Sequence, residues 1–228
     1  MQLELTMKAF RAKTNLTLRD KYHHGLEQVL LHYGVTKVTS QSRDWFDSEN
    51  TWLVLVESNE DGQILGGARM QLAEDNLPLP MEKAIGFKDA RIYEIINEYK
   101  KNGVGEFCGL WNSRKVAGMG LGSMYLGEAC ISIAPKIGFN TVLGLCAPST
   151  KQNSFKLGFQ IDNRLGLQGE FNYPKENLVA TALFIEDIHT LATADETSRK
   201  HIFQLRAFPE LITDESTKRG DLKLFYHL

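Results

Sequence analysis

The first third of the chain alternates between strand-like and helix-like patterns. Apolar and polar residues alternate over residues 2–10, which predicts a β-strand because neighbouring side chains of a strand face opposite sides. Residues 18–33 carry apolar side chains at three- and four-residue spacing, which predicts an amphipathic helix. Residues 51–57 and 63–72 are separated by a turn sequence and are predicted to form the two arms of a hairpin.

The middle of the chain is predicted to contain a central strand that leads into a long helix. A helix at residues 89–101 precedes a short apolar run, residues 107–111, with the length and aromatic content of a strand. After a polar turn, an apolar stripe continues to Ile137. This stripe predicts one long helix, with a kink or an altered last turn at Pro135.

The last third of the chain is predicted to be rich in strands. Strands are expected at residues 141–146, 165–173 and 178–187, with a short helix after the first of them. A further helix is predicted at residues 196–207. The apolar ending at residues 222–226 is interpreted as either a strand or a packed tail.

The turn between the central strand and the long helix, residues 112–122, combines basic residues with glycines and is called the glycine turn below. Arg114 and Lys115 are followed by Gly118, Gly120 and Gly122 at alternate positions. The first N–H groups of a helix are free, its dipole is positive at that end, and glycines let an anion approach the backbone. The turn is therefore a candidate anion site. The glycines alone fit a tightly packed turn without a ligand equally well.

Composition narrows the classes of function. The chain has 228 residues, a formal net charge of -2 and 43% hydrophobic residues, which fits one globular domain with a sizeable core. This charge gives no reason to expect a nucleic-acid partner, and no apolar run is suited to span a membrane. The first residues lack a signal-peptide pattern, and the three cysteines match no zinc or disulfide spacing. We therefore expect a reduced, cytoplasmic protein without a metal.

Two motifs are similar to those of the GNAT (Gcn5-related N-acetyltransferase) superfamily. Lys115, Gly118 and Gly120 form basic-x-x-Gly-x-Gly, which resembles the superfamily's pyrophosphate motif Gln/Arg-x-x-Gly-x-Gly/Ala with lysine at the first position. Residues 149–159 resemble its next block, which has a coenzyme-contacting asparagine, here Asn153, and a closing Gly-Phe. The resemblance implies acetyl-CoA or a longer acyl-CoA as donor. It also implies that these residues bind the coenzyme: Lys115, Val116, Ala117, Gly118, Met119, Gly120, Leu121 and Asn153.

The resemblance also implies a fold for most of the chain. The predicted elements over residues 2–187 follow the order of the superfamily, which has an α+β fold, or α/β/α sandwich, with a mixed central sheet and splayed central strands. The diverging strands would expose backbone groups that pair with the pantetheine amides of the coenzyme. We therefore expect a GNAT-like acyltransferase domain at residues 1–187 and a helical extension, residues 188–228, packed on the same domain.

One branch of the superfamily shows a weaker similarity. Acyl-homoserine-lactone synthases and the related N-acyl amino acid synthases form this branch. The lactone synthases carry a Gly-x-x-Arg strand and later a strand that begins with glutamate, and Arg69 and Glu106 match these positions. Gly109 stands where the lactone synthases have a second arginine. The chain thus resembles an N-acyltransferase of this neighbourhood that acylates an amino-acid-like amine.

The resemblance suggests roles for three residues, and each role has a structural alternative. Glu106 is the expected general base for the attacking amine, and its alternative is a structural carboxylate paired with a lysine. Arg69 is expected to hold an acceptor carboxylate, unless it is an edge arginine paired with a surface acid. Trp111 is expected to line the acyl pocket, unless it is a core tryptophan.

Two other functions remain open at this point. The first is a synthase that takes its acyl group from an acyl carrier protein, for which Arg11, Lys13, Arg19 and Lys21 offer a candidate basic patch. The second is a catalytically silent domain that binds an acyl ligand. Ser154 favours the second, because it occupies the position of the tyrosine that protonates the leaving thiolate in many superfamily members. In all three cases the expected partner is a small molecule, and an oligomer is allowed.

Overall fold

A mixed β-sheet forms the centre of the computed structural model, which describes residues 2–35 and 38–228. Within those residues the strands are β1 (Leu3–Arg11), β2 (Thr51–Ser58), β3 (Ile64–Leu72), β4 (Val104–Asn112), β5 (Thr141–Cys146), β6 (Gln160–Ile161), β7 (Glu170–Asn172), β8 (Val179–Ile185), β9 (Ile212–Thr217) and β10 (Gly220–His227). Their order in the sheet is β6-β8-β5-β4-β3-β2-β1-β10-β9, and β7 also pairs with β8. The pairs β4–β5 and β1–β10 are parallel, and the others are antiparallel.

Helices cover both faces of this sheet. They are α1 (Leu16–His32), α2 (Pro80–Ile85), α3 (Arg91–Lys100), α4 (Leu126–Ile133), α5 (Pro148–Lys156) and α6 (Glu196–Ala207). On β2, Val54 and Val56 join the core that contains α4, whereas Leu53 and Leu55 join the core that contains α1. A third cluster joins α2 and α3 to β4 and β5. The predicted α/β/α sandwich is confirmed.

Local side chains determine several helix ends. Asn15 caps α1 by accepting a hydrogen bond from the Leu18 N–H group at 3.0 Å, and Asp195 caps α6 in the same way. Pro135 begins a separate 3₁₀ turn after α4, and Gly138 ends that turn with a φ of 96°. The altered last turn that was predicted at Pro135 is therefore present.

The structure differs from the predicted elements at three places. Of the strand predicted at residues 165–173, only β7 forms, and turns occupy the residues before it. The first turn of the predicted long helix, Leu121–Tyr125, is π-helical, and α4 follows it directly. At the third place, around Pro80, no element was predicted, and the short helix α2 begins there.

Residues 188–228 contain more than the predicted helix. Helix α6 is followed by the β9–β10 hairpin, and β10 adds to the main sheet beside β1. Leu222, Leu224 and Tyr226 of β10 are buried in the core that contains α4. The ending interpreted as a strand or a packed tail is thus a strand. Describing the extension as helical was incomplete, and its separation from residues 1–187 stays a prediction.

Candidate active site

The two central strands of the sheet separate part of the way along their length. Strands β4 and β5 pair only through residues 104–106 of β4 and 141–143 of β5. Within the described residues β4 then continues to Asn112 and β5 to Cys146 without further pairing between them. The backbone groups that face this gap are available to a ligand that carries amides of its own. The predicted splay of the central strands is confirmed.

A bulge in β4 lies just beyond the point where the strands separate. The register between β3 and β4 shifts between Gly67 and Arg69, and Gly109 has a φ of 57°. Tyr22 on α1 donates a hydrogen bond from its hydroxyl to the Gly109 carbonyl oxygen at 2.8 Å, and a Cβ at residue 109 would overlap that hydroxyl. Backbone conformation and close packing both require glycine at this position. The arginine of the acyl-homoserine-lactone synthases therefore has no room here.

The glycine turn presents free backbone N–H groups. Gly118 and Gly120 have φ values of 81° and 77°, and the π-helical turn starts directly after them. Among the described residues, the N–H groups of Gly118, Gly120, Leu121 and Gly122 find no acceptor. A Cβ at residue 122 would overlap the side chain of Asn112. Several free donors on a backbone with glycine at three positions fit the oxygens of a phosphate group.

The other N–H groups of the predicted pyrophosphate site are already engaged. Those of Val116, Ala117 and Met119 donate to backbone carbonyl oxygens of the same turn at 3.1, 3.3 and 3.2 Å. The side chains of Val116 and Met119 are buried in the core. Of the six predicted backbone donors, only those of Gly118, Gly120 and Leu121 remain available.

Lys115 and Asn153 lie on different elements. Lys115 is exposed on the glycine turn, and its Nζ donates a hydrogen bond to Gln63 Oε1 at 2.5 Å. Asn153 is half-buried on α5, the helix that follows β5. Phe159 of the closing Gly-Phe pair is buried and stacks on Phe107 of β4 with ring centroids 6.2 Å apart. The segment that follows β5 is therefore fixed against β4 by an aromatic contact.

Arg69 is a buried cation that forms no ion pair among the described residues. It is only 1% exposed, and its Nε donates to Cys108 Sγ at 3.2 Å. Its Nη1 is 3.4 Å from the Ser40 carbonyl oxygen, and the guanidinium lies over the Trp45 ring, 4.6 Å from its centroid. No carboxylate in the described part of the chain forms an ion pair with it. The surface ion pair named as the alternative in the sequence analysis is thus not formed.

Glu106 lies in the last residue pair before β4 and β5 separate, and it is buried. One carboxylate oxygen accepts a hydrogen bond from the Met81 N–H group at the start of α2, at 2.7 Å. Burial raises the pKa of Glu106 to about 8, although this hydrogen bond and the charge of Arg69 oppose the rise. The carboxyl therefore gains and loses its proton close to neutral pH. The lysine partner that the structural alternative gave Glu106 is not found among the described residues.

Two sulfur atoms near this site are poor nucleophiles. Burial raises the pKa of the Cys108 thiol to about 12 and that of the Cys146 thiol to about 11. At neutral pH both are thiols rather than thiolates, and only the thiolate attacks a thioester readily. Ser154 donates its hydroxyl proton to the Thr150 carbonyl oxygen of its own helix at 3.2 Å. None of these side chains is therefore prepared for covalent or acid catalysis.

Trp111 packs in the core beneath α1. It is 5% exposed, its ring lies 6.5 Å from that of Tyr22, and a Cβ at Gly25 of α1 would overlap it. This is the core placement that the sequence analysis gave as the alternative. Its role in lining an acyl pocket stays a prediction.

Some contacts of the site join residues that no motif connects. Trp45, which covers Arg69, and Met81, which binds Glu106, come from the segments before β2 and at the start of α2. Arg219 in the β9–β10 turn donates a hydrogen bond from Nη1 to the Ala117 carbonyl oxygen of the glycine turn at 2.8 Å. Of these residues, only Trp45 is marked by a local feature of the sequence, because it is followed directly by a second aromatic residue, Phe46.

Comparison with known proteins identifies the fold. No family model and no curated protein match the sequence. The solved structure of FeeM, an N-acyl amino acid synthase from uncultured soil microbes, is similar with a TM-score of 0.65 and 10% identity over 87% of this chain and 99% of that one. MesI, a CoA-dependent acyl-homoserine lactone synthase, is similar with a TM-score of 0.52 and 14% identity over 89% of this chain and 95% of that one. A proposed phosphinothricin N-acetyltransferase is similar with a TM-score of 0.51 and 15% identity over 81% of this chain and 98% of that one.

The chain has the fold of the GNAT acyltransferases. Its neighbours within that fold include an N-acyl amino acid synthase and acyl-homoserine lactone synthases, which is the branch indicated by Arg69 and Glu106. Identities of 15% or less establish the fold alone. Among the described residues no cluster of His, Cys, Asp or Glu is arranged to hold a metal ion, and no helix is long and apolar enough to cross a membrane.

Proposed function

We propose that the protein is an N-acyltransferase that moves an acetyl or longer acyl group from acyl-CoA to the amine of a small, amino-acid-like acceptor. The observation that carries this proposal is the position of the glycine turn. Strand β4 lines the gap from Glu106 onward and ends at Asn112, where the turn with the free N–H groups begins. One side of the gap therefore leads directly to these free N–H groups, an arrangement that suits a pantetheine arm joined to a diphosphate.

The reaction proposed is direct transfer. The amine nitrogen attacks the thioester carbonyl, a carbon–nitrogen bond forms through a tetrahedral oxyanion, and the carbon–sulfur bond then breaks to release the coenzyme thiolate. An amine in its ammonium form must first lose a proton, and Glu106 is proposed to take it, directly or through water. With a pKa of about 8, a minor ionised fraction of Glu106 is present at neutral pH to accept the proton, and this fraction grows as the pH rises. The group that protonates the thiolate stays unassigned, because the Ser154 hydroxyl is bound to its own helix.

Arg69 is proposed to hold the acceptor. A buried guanidinium without a carboxylate partner is costly, and the carboxylate of an amino-acid-like acceptor would supply the missing negative charge. Arg69 and Glu106 lie at alternate cross-strand pairs of β3 and β4, Arg69–Cys108 and Gln71–Glu106, so both side chains face the same side of the sheet. An acceptor held by its carboxylate at Arg69 would present its amine towards Glu106.

An acyl carrier protein as donor is the second candidate. The resemblance noted in the sequence keeps it open, but the lactone synthase MesI is CoA-dependent, and two acids, Glu49 and Asp20, offset two of the four charges of the suggested basic patch. Arg11 and Lys13 both pair with Glu49, and Arg19 pairs with Asp20. Acyl-CoA is therefore the donor we propose. The cytoplasmic location and the oligomeric state stay predictions.

Gly120→Asp tests the donor site, with Gly120→Asn as its matched control. Both side chains tolerate a φ of 77°, both have nearly the same size, and only the aspartate places a negative charge on the turn. Calorimetry should show coenzyme A binding that survives Gly120→Asn and is lost in Gly120→Asp. Release of free thiol from acetyl- and long-chain acyl-CoA, with a pool of amines, then tests transfer. Turnover with acyl carrier protein only would select the second candidate, and binding without any turnover would select a silent ligand-binding domain.

A further inference from the structure

The turn of the β9–β10 hairpin lies against the glycine turn. Besides its hydrogen bond to the Ala117 carbonyl oxygen, the Arg219 side chain packs over Gly118. A Cβ built on Gly118 would lie 3.1 Å from Arg219 Nε and 3.2 Å from its Cδ. The guanidinium is thus fixed beside the residue that carries the first free N–H group of the turn.

This guanidinium has unused hydrogen-bonding capacity and no acidic partner. An arginine side chain carries five N–H donors, and a single bond to Ala117 leaves most of them available. No carboxylate in the described ranges forms an ion pair with Arg219, nor with its neighbour Lys218, nor with Arg114 and Lys115 of the glycine turn. Two adjacent turns therefore carry four cations that form no ion pair with the described residues, which favours a multiply charged anion.

We propose that Arg219 binds the diphosphate of the acyl-CoA donor, together with Lys115 and the free N–H groups of the glycine turn. This inference rests on the donor proposed above and extends its site to the C-terminal hairpin, outside any motif of the sequence. The planar guanidinium can form two parallel hydrogen bonds to phosphate oxygens, which the ammonium of Lys115 cannot. Its bond to Ala117 orients the fork before the ligand arrives.

Arg219→Gln separates ligand binding from a purely structural contact between the two turns. The glutamine amide can still donate a hydrogen bond to the Ala117 carbonyl oxygen, but it carries no charge. Arg199→Gln is the matched control, because Arg199 is exposed on α6 and forms no ion pair within the described residues. Thermal melting of both variants checks that the hairpin remains folded.

A graded series of ligands identifies the phosphate that Arg219 contacts. Pantetheine has no phosphate, 4′-phosphopantetheine has one, dephospho-CoA has the diphosphate, and coenzyme A adds the 3′-phosphate. Arg219→Gln should weaken binding of dephospho-CoA and coenzyme A by the same factor, about tenfold or more, as expected for a lost charge-assisted hydrogen bond. Binding of pantetheine should be unchanged, and Arg199→Gln should bind all four ligands like the wild type.

Three results would overturn this assignment. An equal loss of affinity for all four ligands would show that Arg219 makes only a structural contact. A loss confined to coenzyme A would show that Arg219 contacts the 3′-phosphate instead. Unchanged affinity for every ligand would leave Arg219 without a role in binding. In each case the proposed function stands if Gly120→Asp still abolishes coenzyme A binding. A wild-type protein that does not bind coenzyme A at all would instead remove the donor, and this inference with it.

Discussion

Replacing Glu106 by glutamine should remove a pH-dependent cost from the native state. Glu106 is 2% exposed, and burial raises its pKa from 4.5 to about 8. Between those values the native protein retains a proton that the unfolded chain has lost. The free energy of unfolding should therefore fall as the pH rises, by about 1.4 kcal/mol per pH unit. From pH 5 to pH 7 this residue alone should cost the wild type about 3 kcal/mol of stability.

Urea unfolding of the wild type and Glu106→Gln from pH 5 to pH 8 measures this effect. The other titrating groups contribute to both proteins and cancel in the difference. Glutamine keeps a side-chain oxygen that can accept the Met81 N–H hydrogen bond, so the start of α2 is retained. The variant should gain stability over the wild type as the pH rises. Its turnover should fall about 10²–10⁴-fold if Glu106 is the base.

Glu82→Gln is the matched control for this experiment. The Glu82 carboxylate accepts a hydrogen bond from the Leu79 N–H group at 2.6 Å, burial raises its pKa, and it has no proposed catalytic role. Its replacement should leave turnover close to that of the wild type. A stability difference between wild type and Glu106→Gln that does not vary with pH would refute the reasoning, because the carboxyl would then titrate near its ordinary pKa.

Three further predictions concern a buried arginine, a strained glycine and a helix cap. Arg69→Ala should raise the KM for the acceptor about tenfold or more, because a charge-assisted bond to the acceptor is lost. The KM for acyl-CoA should stay nearly unchanged, and equal rises of both KM values in steady-state assays would contradict this role. Gly109→Ala should lower the free energy of unfolding by about 2–4 kcal/mol, because residue 109 has a φ of 57° and a Cβ there would overlap Tyr22. An unchanged midpoint in urea unfolding would exclude that strain. Asp195→Ala should cost about 1 kcal/mol by removing the cap of α6, whereas Asp195→Asn should melt close to the wild type.

Local patterns were enough to predict the elements that have their own hydrophobic period. The predicted helix at residues 196–207 agrees with α6, whose apolar face and Asp195 cap are both local. Strand β9 was missed because its sequence, Ile-Thr-Asp-Glu-Ser-Thr, has no apolar alternation and becomes a strand by pairing with β10. The strand predicted at residues 165–173 failed because Gly166, Gln168 and Gly169 all adopt positive φ values and turn the chain.

Some residues of the candidate site could also be predicted from local patterns, and others could not. Spacing in the sequence identified the glycine turn, and the resemblance matched Arg69 and Glu106 to two strands. That these strands pair with each other was known only from the structure. The burial of Arg69 beneath Trp45 depends on a loop that packs from a distant segment, and no local pattern encodes it. The contact between Arg219 and Ala117 joins residues 102 positions apart, so only the assembled sheet brings them together.

The parallel pairing of β10 with β1 has a consequence for synthesis of the protein. One edge of β1 receives its hydrogen bonds from residues 222–227, which leave the ribosome long after β1 itself. Until then the nascent chain carries an open strand edge, and such edges recruit other chains. Closing the sheet also joins its most distant segments, which is the slowest kind of contact to form. Assistance from a chaperone that shields exposed strands should therefore matter most for this protein while it is being translated.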